Sequence, residues 1–344
     1  MDKKFCGKKK FEVFKSKKLV IQAMAEREPG TFNQKNVPLS LAGWLGMLFA
    51  VFCWGLSFPL LKVALEDVEP ITLAVLRYAI GAIPLVLFMV LRDGIKSISK
   101  PFKEDFWFFL ALGLVGITLP NILQNYGMRM TSAHLSSIIQ SSGPIFTILL
   151  AVILLKEPLG KNKIIGTVIA LSGSILLVTG GGINLADTTL IGNLLVMLSA
   201  ISYAVSSIIS KKILDRYDPF TVATVSILLG TVILAVFMTL ESPTEKVPMI
   251  SVNNWYIIIV LALFPSSLAL LVWYQILRRS EVSRLILFIY LIPVFATAIS
   301  YFYPREIIEL TTIIFAFLIV CGVVIAQYEK SKKVMEYQPP KPRP

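Results

Sequence analysis

Five polar residues, Ser136, Ser137, Gln140, Ser141 and Ser142, precede Pro144 in a stretch from 133 to 155 that is otherwise apolar but for His134 and Thr147. Hydroxyls and an amide at that density are costly against hydrocarbon but useful in a water-filled cavity, where they hydrogen-bond a small polar solute. Pro144 cannot donate to the carbonyl four residues earlier, which frees one more acceptor. Gln140 and Ser141 are therefore expected to touch a solute directly; the alternative is that the serines bond the preceding turn or admit close helix contact. Asn121 and Gln124 offer amides in another apolar run, and Trp54, Ser57, Tyr203, Ser206, Trp273, Tyr274 and Tyr290 place rings and hydroxyls in others. Trp273 and Tyr274 fit an interfacial aromatic belt equally well. Arg77, seven residues beyond Pro70, is the one basic residue well inside an apolar run. Its burial costs at least ~2.5 kcal/mol unless it is paired or wet. It either binds a carboxylate of the solute or reaches out to Glu66, Asp67 or Glu69.

These groups can bind and release; they are poorly suited to making or breaking bonds. The single histidine, His134, cannot build a multi-histidine metal site, and Cys6, Cys53 and Cys321 are too scattered for a zinc knuckle or disulfide framework. The run Thr179-Gly180-Gly181-Gly182 lacks the Lys-Ser/Thr of a phosphate loop. No enzyme, no cofactor and no metal are expected. None of the 21 acidic residues falls in the middle of an apolar run, which disfavours proton-coupled export of lipophilic cations. An uncharged or zwitterionic small molecule fits this polar inventory.

The elements that hold these residues are set by composition. The 344 residues are 56% apolar and 16% charged, far from the ~25% charge of a soluble domain. Ten apolar stretches long enough to cross ~30 Å of hydrocarbon run over 41–62, 70–91, 106–126, 133–155, 162–180, 190–210, 219–240, 255–277, 284–303 and 307–327. Only helices can satisfy the backbone in such runs, so the expectation is an all-α integral protein of the cell membrane with the lipid bilayer as its partner. Residues 1–40 and 328–344 read as basic tails, and the first 37 residues carry no secretory-signal pattern. With both termini cytoplasmic, the inside segments hold 28 Lys and Arg against four outside, so the +12 net charge speaks for membrane topology rather than nucleic acid.

The second half repeats the first at a separation of 149 residues: Tyr203 falls on Trp54, Ser206 on Ser57, Lys211 on Lys62, Pro219 on Pro70, Thr221 on Thr72, Gly230 on Gly81, Tyr290 on Ser141, Pro293 on Pro144, Glu306 on Glu157 and Gly322 on Gly173. Each half, 41–180 and 190–327, holds five expected helices. Five is odd, so equivalent helices cross in opposite senses, which makes an inverted repeat around a midplane site. Pro144 and Pro293 are expected hinges; Gly173 and Gly322 are expected packing points. Such a repeat implies alternating access by a monomer or homodimer; a polar-lined channel, a proton-coupled drug exporter and a static scaffold are the competing readings.

The Trp54-x-x-Ser57 helix, Pro70-x-Thr72 with Arg77-Tyr78, the Pro144-Ile-Phe helix ending at Lys156-Glu157, and Gly166 with Gly173 resemble the EamA-type repeat of the drug/metabolite transporter superfamily. The resemblance covers about 43–180 and 192–327. It implies a ten-helix carrier whose cavity is lined by the first four helices of each half, packed together through the fifth and tenth. It further implies export or exchange of amino acids and other small metabolites.

Overall fold

The computed structural model describes residues 39–94, 96–130, 139–140, 142–179, 190–241, 250–302 and 310–328, all within one compact unit beginning at Leu39. The N-terminal tail to 38, His134, Ser136, Ser137 and Ser141 lie outside them. Every regular element among the described residues is helical. In chain order they are α1 (Leu41–Asp67), α2 (Pro70–Asp93), α3 (Lys96–Glu104), α4 (Phe106–Met130), α5 (Gly143–Leu155), α6 (Lys161–Thr179), α7 (Leu190–Ile213), α8 (Pro219–Glu241), α9 (Val252–Leu277), α10 and α11 (Leu310–Gln327). The tenth begins with one α turn (Val282–Leu285), tightens to a 3-10 helix (Ile286–Leu291) and resumes as Ile292–Phe302. Seven of these, α1, α2, α4, α7, α8, α9 and the span Val282–Ile299, are long and apolar enough to cross a membrane. Leu87, Leu91, Ile153, Leu240 and Phe317 point outward and stay exposed, as lipid-facing residues must.

Local chemistry sets the helix ends. Ser40 caps α1 by accepting from Gly43 N at 3.2 Å, and Ser251 caps α9 by accepting from Asn254 N at 3.2 Å. Pro70 opens α2, where its missing N–H costs nothing, and Gly94 closes it at φ 72°. Asp218 caps α8, with Oδ1 accepting from Phe220 N at 3.0 Å and Thr221 N at 3.2 Å. Burial pushes that carboxyl up, but the Thr221 hydroxyl and N–H and the Arg92 guanidinium outweigh it and hold it below its usual range.

Close backbone approach requires small residues. A Cβ on Gly322 of α11 would stand 2.5 Å from Ala170 N of α6, and one on Gly173 would stand 2.8 Å from Ile319 Cγ1. Both glycines therefore sit where the sequence puts a packing point, on the α6–α11 seam. A compact set of buried charges joins α5, α6, α7, α9 and α10. Lys163 pairs with Glu281, Glu157 accepts from Val282 N and Ser283 N at 2.8 Å each, and Lys211 Nζ donates to Leu277 O at 2.8 Å and Ser280 O at 2.7 Å.

Three features depart from sequence expectation. Residues 92–105, read as a loop, contain α3, with Pro101 buried and the following Asp105 held by Arg216 and by the Tyr217 hydroxyl at 2.8 Å. The stretch expected as one helix over 133–155 restarts at Gly143 after a turn at Ser142, so Pro144 stands at a helix start rather than mid-span. Proline lacks the N–H that an interior position would need, and the first turn is where it fits. Finally, α4 and α9 each contain a π turn, Leu114–Thr118 and Ala262–Leu268.

Candidate functional site

A cavity of about 160 Å³ lies between α1, α2, α4, α5, α7, α9 and α10, room for roughly five waters at ~30 Å³ each. Its walls pair across the chain at the same separation of 149 residues. Trp54, Ser57, Phe58 and Leu61 on α1 match Tyr203, Ser206, Ser207 and Ser210 on α7; Gly116, Ile117, Asn121 and Gln124 on α4 match Pro265, Ser266, Leu270 and Trp273 on α9. Gln140 matches Ile289, and Gly143 matches Ile292. The pairing fails at α2, where Arg77 and Tyr78 line the cavity and their counterparts on α8, Ser226 and Ile227, do not; it fails also at Pro144, Thr147, Ala200 and Tyr274, whose counterparts Pro293, Ala296, Val51 and Asn125 stand off the cavity.

Both π turns lie in these walls. A π turn adds a residue to the helical ladder and re-aims the side chains around it, which is why such turns recur at functional sites. Here they bring Gly116, Ile117, Pro265 and Ser266 to the cavity surface. The interior Pro265 was the sequence signal for the second of them; the first has none as clear.

The hydrogen bonds already made decide what each side chain can still offer. Ser57 Oγ donates to Trp54 O at 2.6 Å and Ser206 Oγ donates to Tyr203 O at 2.9 Å, so both present lone pairs rather than protons to the cavity. Asn121 Nδ2 donates to the Tyr78 hydroxyl at 3.0 Å and to Ile117 O at 2.7 Å. Trp54 Nε1 donates to Pro265 O at 3.1 Å, and the Trp54 and Trp273 rings meet edge to face with centroids 5.8 Å apart. Gln140 Oε1 is buried with no hydrogen-bond partner among the described residues.

Arg77 faces inward. It is 5% exposed, and its Nη2 donates to Ser266 Oγ at 3.0 Å while its Nε has no partner among the described residues. Two of the carboxylates that could have drawn it outward are engaged: Glu69 pairs with Arg129 at 2.7 Å, and Asp67 accepts from Asn254 Nδ2 at 2.7 Å. It is the one charged side chain among the described residues that line the cavity.

Of the residues singled out from sequence, Trp54, Ser57, Arg77, Asn121, Gln124, Gln140, Pro144, Tyr203, Ser206, Trp273 and Tyr274 converge on this cavity. Trp273 and Tyr274 are 5% and 4% exposed, so they are not belt residues at a lipid surface. Tyr290 does not line it; the ring is fully buried in the core and its hydroxyl has no partner among the described residues. The reason is the 3-10 helix. Lining positions on α10 are Ile286, Ile289 and Ile292, three apart, and three residues per turn leave Tyr290 about a third of a turn from that face. Pro293 is the second residue of the α-helix that resumes at Ile292, just past the change of helix type. Phe58, Tyr78, Thr147, Ser207, Ser210 and Ser266 also line the cavity and were missed, although Ser207 and Ser210 follow from the 149-residue register once α1 is placed.

A polytopic helical bundle with a lipid-facing apolar exterior and a polar, singly charged cavity among its helices defines a membrane transport protein of the cell membrane. The chain belongs to the EamA-like transporter family, whose model matches residues 41–179 and again 190–328. An uncharacterized transporter of Archaeoglobus fulgidus is 27% identical over 82% of this chain and 97% of its own length. The uncharacterized transporter YyaM of Bacillus subtilis is 27% identical over 85% of this chain and 93% of its own. A probable terminal-alkyne amino-acid exporter of Streptantibioticus cattleyicolor is 23% identical over 83% and 93%. A crystal structure with 21% sequence identity superposes with TM-score 0.69 over 83% of this chain and 96% of that one, a likeness of fold alone.

Proposed function

We propose that the protein is a carrier that moves a small, carboxylate-bearing metabolite across the cell membrane by alternating access, as an exporter or exchanger. In this reading it has ten membrane crossings, as two five-helix halves, 41–180 and 190–327, inserted in opposite senses with both termini cytoplasmic. The observation that carries it is the pairing of cavity walls at 149 residues, because two such halves can exchange packings of nearly equal energy around one shared site. The inward guanidinium of Arg77 moves the expected substrate away from wholly uncharged molecules, since a carboxylate is the group that a planar donor fork holds in two places at once. The relative named as a probable terminal-alkyne amino-acid exporter supports a cargo that bears a carboxylate.

The test is counter-transport in proteoliposomes. Saturable flux that accelerates when unlabelled substrate is placed on the far side is the expected result. Flux that stays linear in concentration and indifferent to the far side would identify a channel instead.

A further inference from the structure

We infer that the cavity selects a monoanion over a zwitterion: a carboxylate on an apolar body, such as a hydroxy acid, in preference to the free amino acid of the same skeleton. This rests on the carrier reading above and deepens its substrate class. Arg77 brings one full positive charge into the cavity, and no carboxylate among the described lining residues answers it. A guanidinium carries five N–H donors, and among the described residues only the bond to Ser266 Oγ is made. The occupant that completes the electrostatics brings a single negative charge. An α-ammonium beside that carboxylate finds no carboxylate among the described lining residues to answer it and shares the cavity with the guanidinium. A neutral hydroxyl in its place adds no second positive charge, and Gln140 Oε1 and the serine oxygens are acceptors on the same walls.

The walls also define the rest of the molecule. Along α9, Ser266 beside Arg77 is followed by Leu270 and Trp273, seven residues on and so about 10 Å along the helix on nearly the same face. Trp54 stands against Trp273. A carboxylate at Arg77 thus leaves room for an apolar or aromatic body about 10 Å long laid toward the two indoles.

The experiment uses the full chain, purified and reconstituted, with three probes of one skeleton: L-phenyllactate (anion), L-phenylalanine (zwitterion) and L-phenyllactamide (neutral). Competition for binding and counter-flux are measured at pH 7, together with the response of flux to a potassium–valinomycin potential. Phenyllactate is expected to bind at least about tenfold more tightly than either of the others. Its net uptake into vesicles without internal substrate is expected to follow the imposed potential as one negative charge, whereas one-for-one counter-flux, which moves no net charge, is not. Arg77→Lys should keep the preference for the anion, whereas Arg77→Gln should reduce it to within about threefold, and agreement of the two variants' thermal midpoints excludes simple misfolding. Phenylalanine binding as tightly as phenyllactate, or none of the three binding, would overturn the charge assignment while leaving the carrier reading intact. Tight phenyllactate binding without acceleration from the far side would do the reverse.

Discussion

The hydroxyl of Ser267 lies 2.7 Å from the carbonyl oxygen of Gly81, and Thr118 stands in the same relation to Gly230 at 3.1 Å. Each hydroxyl also reaches the carbonyl five residues earlier on its own helix, Ala262 at 2.9 Å for Ser267 and Gly113 at 3.2 Å for Thr118. One proton is shared between two acceptors, inside the widened turn that a π segment leaves. The π turn of α9 is thereby tied to α2, and that of α4 to α8.

Two substitutions probe the hydroxyl alone and the close approach as a whole at this joint. Ser267→Ala should cost only about 0.6 kcal/mol, the usual value of an interhelical hydrogen bond in a membrane protein. Gly81→Val should cost about 1–3 kcal/mol, because its Cβ would stand against Ser267 Oγ and 2.8 Å from Ala262 O, a backbone atom with nowhere to go. Thermal unfolding of the two variants in detergent checks the order; equal losses would show that the hydroxyl governs the joint.

Gln140 and Ser141 were the strongest candidates from sequence, and Gln140 now has a place on the cavity wall. Gln140→Ala should lower counter-transport about tenfold while membrane insertion and thermal midpoint stay near those of the parent, since no partner loses a bond. Ser141→Ala is the companion variant. Unchanged transport in both would remove them from the substrate contact.

On the α6–α11 seam the expectation reverses, with folding failing before transport. Gly322→Leu and Gly173→Leu would drive side chains into Ala170 N and Ile319, and neither wall is a flexible tip. Yield of folded monomer by size-exclusion chromatography should fall severalfold.

Lys163→Met leaves the Glu281 carboxylate 8% exposed and without its cation, at a cost of about 3–5 kcal/mol. The double variant Lys163→Met with Glu281→Leu should recover most of that loss, because no unpaired charge stays buried. A double variant as unstable as the single would mean that the contact of Lys163 with Ser283 and Pro158 O matters more than the ion pair.

Acid should act at Asp218. Its carboxyl titrates below the ordinary value in the folded protein, so the unfolded chain takes up the proton first as pH falls. The cap's contribution is therefore fully present above about pH 4 and is lost as pH drops through the folded value. Asp218→Asn should flatten that part of the stability curve and cost about 1 kcal/mol or less near neutrality, read from thermal midpoints between pH 3 and 7.

Much of this was legible in the chain. Apolar length alone marks α1, α2, α4, α7, α8 and α9 to within a few residues at most ends, because lipid leaves the backbone no alternative to helix. The 149-residue register placed Trp54 with Tyr203 and Ser57 with Ser206, and they do share one cavity. What stayed hidden depends on helix type and side-chain direction. The register carried Tyr290 over from Ser141, which lies outside the described residues, but it says nothing of which way a side chain points: on α10 the 3-10 segment presents Ile286 and Ile289 instead, and the π turns at Gly116 and Ser266 were equally beyond its reach. The direction of Arg77 was open for a similar reason. Its long stem reaches two ways, and the choice was made by Arg129 and Asn254 occupying the carboxylates outside.

The unequal α2 and α8 walls have one more consequence. Were the cavity assembled from two copies of a single five-helix chain, each copy would bring its own arginine, and the guest would have to be doubly negative or tolerate two cations. Joining the halves in one polypeptide lets position 77 be arginine while position 226 is serine, so an almost symmetric frame can grip a lopsided molecule by one end.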